Sequence, residues 1–502
     1  MEKIKIKAFF IIFFFVLIFS LTFYQLNSST DEYKTIIMKV YDKEGNKLSY
    51  EEFMDIVTNG NRGWAENDML FNINDYTIVE GWVIYKDDEG NPCFDFKGSG
   101  IGLSLTWMTK NTGYFNLFLD NEGAGFSKSE TIIFNYTAAL SYWKKLNNAL
   151  SIREDYNRSS EFNGLYENAK YYINLAKQAN KDSLKGKYGQ IALDYIAQAY
   201  ELLLYEYGIQ YAQRHPSQQF WWGVTIDKID DYENVLNSVS DLVENSATDG
   251  WIRIVFDEFI SPDYYDGIVS YAQKKNLHIM GEILDSSCMR LYSLEDFKSR
   301  VREYVNHFPD IEAWEIGNEI NGEWLGENVV AKIEYAADYI KKVRPDAIIV
   351  LTLYWQFGTE DIPHSVFQWI KNNLKPELIN KIDVIALSIY VMNSPLGMAF
   401  DEVFQMLHKY FPEKKIMIGE MDYWYVEGED IWWWHSNTES VSTVRKKFCK
   451  QMYASALGYP FSLLGGFWWY YNLEMYPPND LWRTLNELYK EVHRKKKGVS
   501  RR

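Results

Sequence analysis

Between residues 220 and 493 the chain alternates between two patterns. Eight short apolar runs occur at 220–226, 251–256, 278–283, 313–317, 347–353, 382–388, 416–419 and 463–469. Between them lie stretches with helical spacing at 263–275, 294–306, 328–343, 365–373, 400–410 and 442–457, and 481–493 closes the series. Near-continuous apolar strands belong to a parallel sheet covered on both faces. Eight strand–helix units over roughly 275 residues predict a (β/α)8 TIM barrel, whose usual size is ~250 residues. The rival is an open doubly wound sheet. That fold carries a glycine-rich phosphate loop after its first strand, and Trp222-Gly223-Val224-Thr225 is not one.

The rest of the chain divides by composition. Lys3, Lys5 and Lys7 precede an unbroken apolar run at 8–23, the layout of a signal peptide or an uncleaved signal anchor. No Ala-x-Ala site follows, which favours the anchor and predicts a single-pass tether at the extracellular face, with secretion as the alternative. Residues 31–134 hold short strand-like runs at 35–41, 76–85 and 113–119, with turns such as Asp87-Asp88-Glu89-Gly90-Asn91-Pro92 between them. They predict a small β-sandwich, either a carbohydrate-binding module or a packing spacer. Residues 135–213 have helical spacing, with candidates at 138–150, 165–177 and 183–213, and predict a helical linker. The expected boundaries are therefore 1–30, 31–134, 135–213, 214–495 for the barrel and 496–502 for a basic tail.

Charge and cysteine content exclude several classes. The formal net charge of -17 argues against nucleic acid, which requires clustered Lys and Arg, and against a polyuronate. Cys93, Cys288 and Cys449 show no metal-ligand spacing, and the seven His form no HExxH or HxH pattern, so no metal is expected. No cofactor is implied either. Aromatic residues make up 17% of the chain. Most are assigned to the core and the remainder to platforms for the flat C–H face of a sugar ring. Sequons at Asn135 and Asn157 permit glycan attachment.

Two glutamates close apolar runs. Trp314-Glu315-Ile316-Gly317-Asn318-Glu319 ends the fourth, and Ile416-Met417-Ile418-Gly419-Glu420 ends the seventh, 101 positions further on. In a barrel, residues at strand C-termini share one pocket. Two carboxylates facing across a cleft can break a glycosidic bond. Glu319 is the candidate general acid and Glu420 the candidate nucleophile, with retention requiring the two groups ~5–5.5 Å apart. Arg253 and Tyr390 are candidate donors to Glu420, although Arg253 has the alternative of neutralising Asp257 or Glu258. Asn318 is placed against the sugar 2-hydroxyl. Trp468 or Trp469 forms the sugar floor or joins the core. Trp424 and Trp432 to Trp434, with His435, form a stacking wall or pack on the β region. Glu282 and Glu315 are assigned supporting roles, for want of a partner at matching register.

These motifs resemble the large clan of retaining glycoside hydrolases with a (β/α)8 barrel, which includes cellulases, mannanases, xylanases and galactanases. Gly317-Asn318-Glu319-Ile320-Asn321-Gly322 resembles the galactanase version, and Gly419-Glu420-Met421-Asp422 the Glu-Leu-Asp of xylanases. The resemblance covers roughly residues 220–480 and implies acid/base Glu319 and nucleophile Glu420. The chain departs from it in two places. Gly281-Glu282-Ile283-Leu284-Asp285 stands where xylanases have Trp-His, and Ser388 replaces the His common before Tyr390 in cellulases.

The function expected is extracytoplasmic, retaining hydrolysis of a β-linked oligo- or polysaccharide by two glutamates. The carbohydrate is the only partner expected, and the membrane is contacted only through the N-terminal segment. The alternatives are a non-catalytic carbohydrate-binding surface protein on a decayed barrel, and a transglycosylase using the same glutamates.

Overall fold

The computed structural model describes residues 32–60, 69–80, 84–216, 218–243, 250–358, 362–423 and 439–493. Eight parallel strands close a barrel in chain order: Trp222–Ile226, Trp251–Val255, His278–Glu282, Ala313–Gly317, Ile348–Tyr354, Val384–Tyr390, Lys415–Asp422 and Ser462–Trp468. The eighth pairs with the first, so no sheet edge is left open. The strands fall where the apolar runs predicted them, shifted by at most a few residues at their ends.

Both faces of each strand are buried, and the period of two divides them. Ile252, Ile254, Ile279, Trp314, Ile316, Ile349, Leu351, Ile385 and Leu387 face the surrounding helices and join the main core. Trp251, Met280, Ala313, Val350, Ala386 and Met417 fill the interior with Trp221 and Phe467 as a second apolar cluster. One step of two residues further along strands two to six, the interior turns polar with Arg253, Glu282, Glu315, Thr352 and Ser388, all fully buried. The barrel thus has an apolar floor and a charged layer beneath its C-terminal mouth.

Residues 34–133 form two four-stranded sheets. One has the order Tyr85–Lys86, Pro92–Phe96, Lys34–Lys39, Glu130–Ile133; the other has Ile78–Glu80, Met69–Asn72, Ile101–Thr109, Gly113–Leu119. The expected β-sandwich domain is not confirmed. Lys34–Lys39 pairs in parallel with Glu130–Ile133, helix Tyr50–Gly60 belongs to the region, and its core is continuous with that of the barrel. Phe71, Tyr76 and Phe118 all make ring contacts with Phe357 of the barrel.

Helices Phe134–Ser151, Ser160–Gln178 and Asp182–Arg214 follow. They are anchored to the barrel by Arg153, which lies 2.5 Å from Asp401. Tyr200 and Tyr459 donate to the same carboxylate at 2.9 and 2.8 Å. The longest helix crosses Val441–Ala456 so closely that a Cβ at Gly208 would lie 1.8 Å from the Ala454 carbonyl oxygen. Asn135 is buried with its side chain bonded to Tyr41 and Gln190, which leaves no room for a glycan; Asn157 is exposed. Cys93, Cys288 and Cys449 are free. Among the described residues no helix is long and apolar enough to cross a membrane. The apolar run at 8–23 and the basic end 496–502 lie outside the described residues.

Candidate active site

A cleft of about 520 Å³ opens at the C-terminal mouth of the barrel, and both glutamates line it. Glu319 sits two residues beyond strand four in a left-handed conformation, φ 49°, which a non-glycine residue adopts only at a cost. The surrounding turn is pinned from several sides. Asn321 donates to the carbonyls of Tyr354 and His364 at 3.1 and 3.0 Å and accepts from the Tyr354 amide at 2.7 Å. The Ile320 amide bonds the Thr352 carbonyl at 3.1 Å, and the Gly322 amide returns to the Glu319 carbonyl at 2.8 Å. A Cβ on Gly317 would meet Ile320 at 2.5 Å, so the strand needs glycine to turn there.

The Glu319 carboxylate is held by two hydroxyls. Ser388 donates to Oε1 at 2.6 Å and Ser286 to Oε2 at 2.8 Å. Burial, and then the negative charge of Glu420, push its pKa up to about 8, against the pull of the two serines.

Glu420 lies within strand seven, next to a break in register at which Ile418 and Glu420 face consecutive residues of strand six. A Cβ on the intervening Gly419 would lie 2.8 Å from Ala386 and 2.9 Å from the Thr352 hydroxyl, so glycine lets the strand bulge into the packed interior. Tyr390 donates its hydroxyl to Oε1 of Glu420 in a short hydrogen bond, and the Asn318 amide nitrogen lies 3.4 Å from Oε2. Nη1 of Arg253 makes an ion pair with Oε2 at 2.7 Å. Burial raises the Glu420 pKa to about 7, while Arg253 and Tyr390 favour its charged form. Burial, and then Glu420, hold the Tyr390 phenol well above its usual range, so it stays a donor. A cation and a phenol face Glu420, whereas Glu319 has two serine hydroxyls, so the charge is better held on Glu420. The site can therefore present one neutral carboxyl and one carboxylate to the same cleft.

Arg253 does not contact Asp257 or Glu258. Its three nitrogens go to Glu282, Glu315 and Glu420. Glu282 and Glu315 are direct neighbours in register on strands three and four. They do have a shared partner, contrary to the reason given for their supporting role. Trp469 lines the cleft beneath the mouth, with the Arg253 guanidinium 5.3 Å from its ring. Trp468 takes the core alternative and not the sugar floor: it is fully buried among the outer core residues, does not line the cleft, and donates to Glu474 at 2.9 Å. Trp468 ends strand eight and Trp469 directly follows it, so the alternation along the chain sends only one of them inward. Trp424, Trp432 to Trp434 and His435 lie outside the described residues.

Sequence reasoning missed several lining residues. Asp227, Asp257, Glu258, Asp285 and Glu323 add carboxylates, and Trp324, Tyr354 and Tyr470 add rings. Ser388 and Ser286 were missed as partners of Glu319. Ser388 was legible, since it precedes Tyr390 by two on one strand and so shares its face. Asp227 is pushed up to about 6 by burial and by the adjacent Asp257 carboxylate.

No family model matches the chain, and no curated protein matches it. The chain is similar to solved structures at low identity. An FMN-binding beta-glucuronidase from Facaelibacterium prausnitzii L2-6 is 13% identical over 50% of this chain, with TM-score 0.36, and only 37% of its own length is matched. An endo-1,4-beta-xylanase from Caldicellulosiruptor owensensis is 15% identical over 51% of this chain and 87% of its own, with TM-score 0.36. A family 1 b-glucosidase from Thermotoga maritima is 12% identical over 50% of this chain and 88% of its own, with TM-score 0.33.

Proposed function

We propose that this chain is a glycoside hydrolase that cleaves a β-linked glycan with retention by a two-glutamate double displacement. One observation carries the reading: carboxyls from the ends of strands four and seven line a single cleft, one favoured neutral by burial and one faced by a cation and a phenol. In the first step Glu420 attacks the anomeric carbon, the glycosidic C–O bond breaks, and Glu319 gives its proton to the leaving oxygen. In the second, Glu319 takes a proton from water, the water oxygen attacks the anomeric carbon, and Glu420 is released as carboxylate. Asn318, whose amide lies beside Oε2 of Glu420, is assigned to the 2-hydroxyl of the sugar. Trp469, with Trp324 and Tyr470, supplies rings for the sugar faces.

The chain is further proposed to act outside the cytoplasm, tethered by the apolar run at 8–23, a location supported by the lysines that precede it. Protease treatment of intact cells checks this: loss of the barrel with the membrane left sealed is the expected result, and protection speaks against it.

The activity is tested with aryl β-glycosides and with mannan, xylan, galactan and β-glucan. Hydrolysis of at least one is expected, with Glu420→Gln losing nearly all turnover while still binding sugar. Unchanged turnover in that variant removes Glu420 from the reaction. Binding without hydrolysis of any substrate favours a carbohydrate-binding protein, and lengthened products identify transfer.

A further inference from the structure

Arg253 stands where three carboxylates meet. Its Nε donates to Oε2 of Glu315 at 2.6 Å, Nη1 lies 2.7 Å from Oε2 of Glu420, and Nη2 lies 2.9 Å from Oε2 of Glu282. None of the four side chains is more than 4% exposed. With all three glutamates ionised, the cluster would hold two uncompensated negative charges away from water, which a folded interior does not sustain. Glu282 and Glu315 also stand side by side on neighbouring strands, where like charges repel.

The donors decide where the proton resides. Glu420 accepts from Tyr390 and Asn318 besides its ion pair with Arg253. Glu315 accepts from Nε of Arg253 and from the Thr352 hydroxyl. Neither oxygen of Glu282 has a hydrogen-bond donor among the described residues; its contact with Arg253, like that of Glu420, is an ion pair not aligned as a hydrogen bond, and Glu282 lacks the further donors that Glu420 has. The other charges that bear on it are Glu315, Asp285 and Glu420, all negative. A buried carboxyl with no donors and three anionic neighbours gains most from binding a proton.

We infer that Glu282 is held as a neutral carboxylic acid and serves as a positioning residue, seating Arg253 while leaving the guanidinium charge to Glu315 and Glu420. Burial raises the Glu282 carboxyl well above the ordinary carboxylate range, in the same direction. An ionised Glu282 would instead compete with Glu420 for the one cation. The protonation state stands on the geometry alone; its use in positioning Arg253 for the nucleophile rests on the proposed function.

The test uses the full-length protein with 13C-labelled glutamate and infrared spectroscopy. At pH 10, about two units above the higher of the Glu319 and Glu420 values, a carboxylic C=O stretch is expected in the wild type and in Glu319→Gln, and its loss in Glu282→Gln. Absence of the band in the wild type, or its survival in Glu282→Gln, overturns the inference. Should Glu282→Gln not fold, Glu282→Met is scanned in its place; failure of both neutral replacements to fold also counts against a neutral Glu282. For the positioning role, Glu282→Ala is expected to lower kcat about tenfold with KM little changed, and Glu282→Gln to restore it. No rescue by the amide overturns that role. An active Glu420→Gln would remove the nucleophile assignment and leave the infrared result standing.

Discussion

The side-chain amide of Asn318 lies 3.4 Å from Oε2 of Glu420, across 102 positions of sequence. That contact joins the strand-four turn to strand seven and brings both motifs to one cleft. Asn318 is buried, and its Oδ1 has no partner among the described residues. Its orientation is set by the turn that also places Glu319.

Activity is expected to follow a bell-shaped pH curve. Turnover needs Glu420 ionised and Glu319 protonated. Glu420 is raised to about 7 and Glu319 to about 8, so kcat/KM should rise through about 7 and fall through about 8. The two limbs belong to the pair, because the carboxyls interact. A profile flat from pH 5 to 10 contradicts the assignment.

Tyr390→Phe should move the acidic limb upward. The hydroxyl donates to Glu420 and favours its charged form, so its loss raises the Glu420 pKa further. A hydrogen bond to a charged group is worth about 1.5–3 kcal/mol, so a fall of about 10- to 100-fold in kcat/KM near pH 7 is expected. Steady-state kinetics across pH decides it.

Glu319→Gln should stabilise the fold increasingly as pH rises. The carboxyl has a pKa of about 8 when folded, against about 4.3 unfolded. Between those values the folded state binds more protons, so wild-type stability falls as pH climbs through that window. The amide has no such loss. The melting temperature of the variant should exceed that of the wild type by at least about 2 °C at pH 8 and by less at pH 5. A gap independent of pH would count against a neutral Glu319.

Anionic sugars should be poor ligands. Seven carboxylates line the cleft (Asp227, Asp257, Glu258, Asp285, Glu319, Glu323 and Glu420) and no Lys, Arg or His does among the described residues. Residues 424–438 contain no Lys or Arg either. An aryl β-glucuronide should show kcat/KM at least about tenfold below the matching glucoside, with the gap narrowing at high salt.

Arg153→Met should destabilise the whole chain. The guanidinium is buried against Asp401, and its removal leaves that carboxylate without its cation. Breaking a buried pair from one side costs about 3–5 kcal/mol. A shift in the urea midpoint for barrel and helices together is expected; a shift below about 1 kcal/mol would mean the pair does not join them.

The barrel was legible because its signal is local. Each strand is buried on both faces and each helix on one, so composition and period announce them. Strand ends were equally legible, and they carried Asn318, Glu319 and Glu420 to the mouth. The parity of strand eight was not. Ser462-Leu463-Leu464-Gly465-Gly466-Phe467-Trp468 is buried throughout, so nothing local says that Trp468 turns outward and the next residue, Trp469, inward. The partners of Arg253 were also silent, because they come from strands three, four and seven and meet only when the barrel closes. Alternation along one strand is written in its own residues. Which side chains share a charge depends on register between strands far apart in sequence, and closure of the barrel sets it.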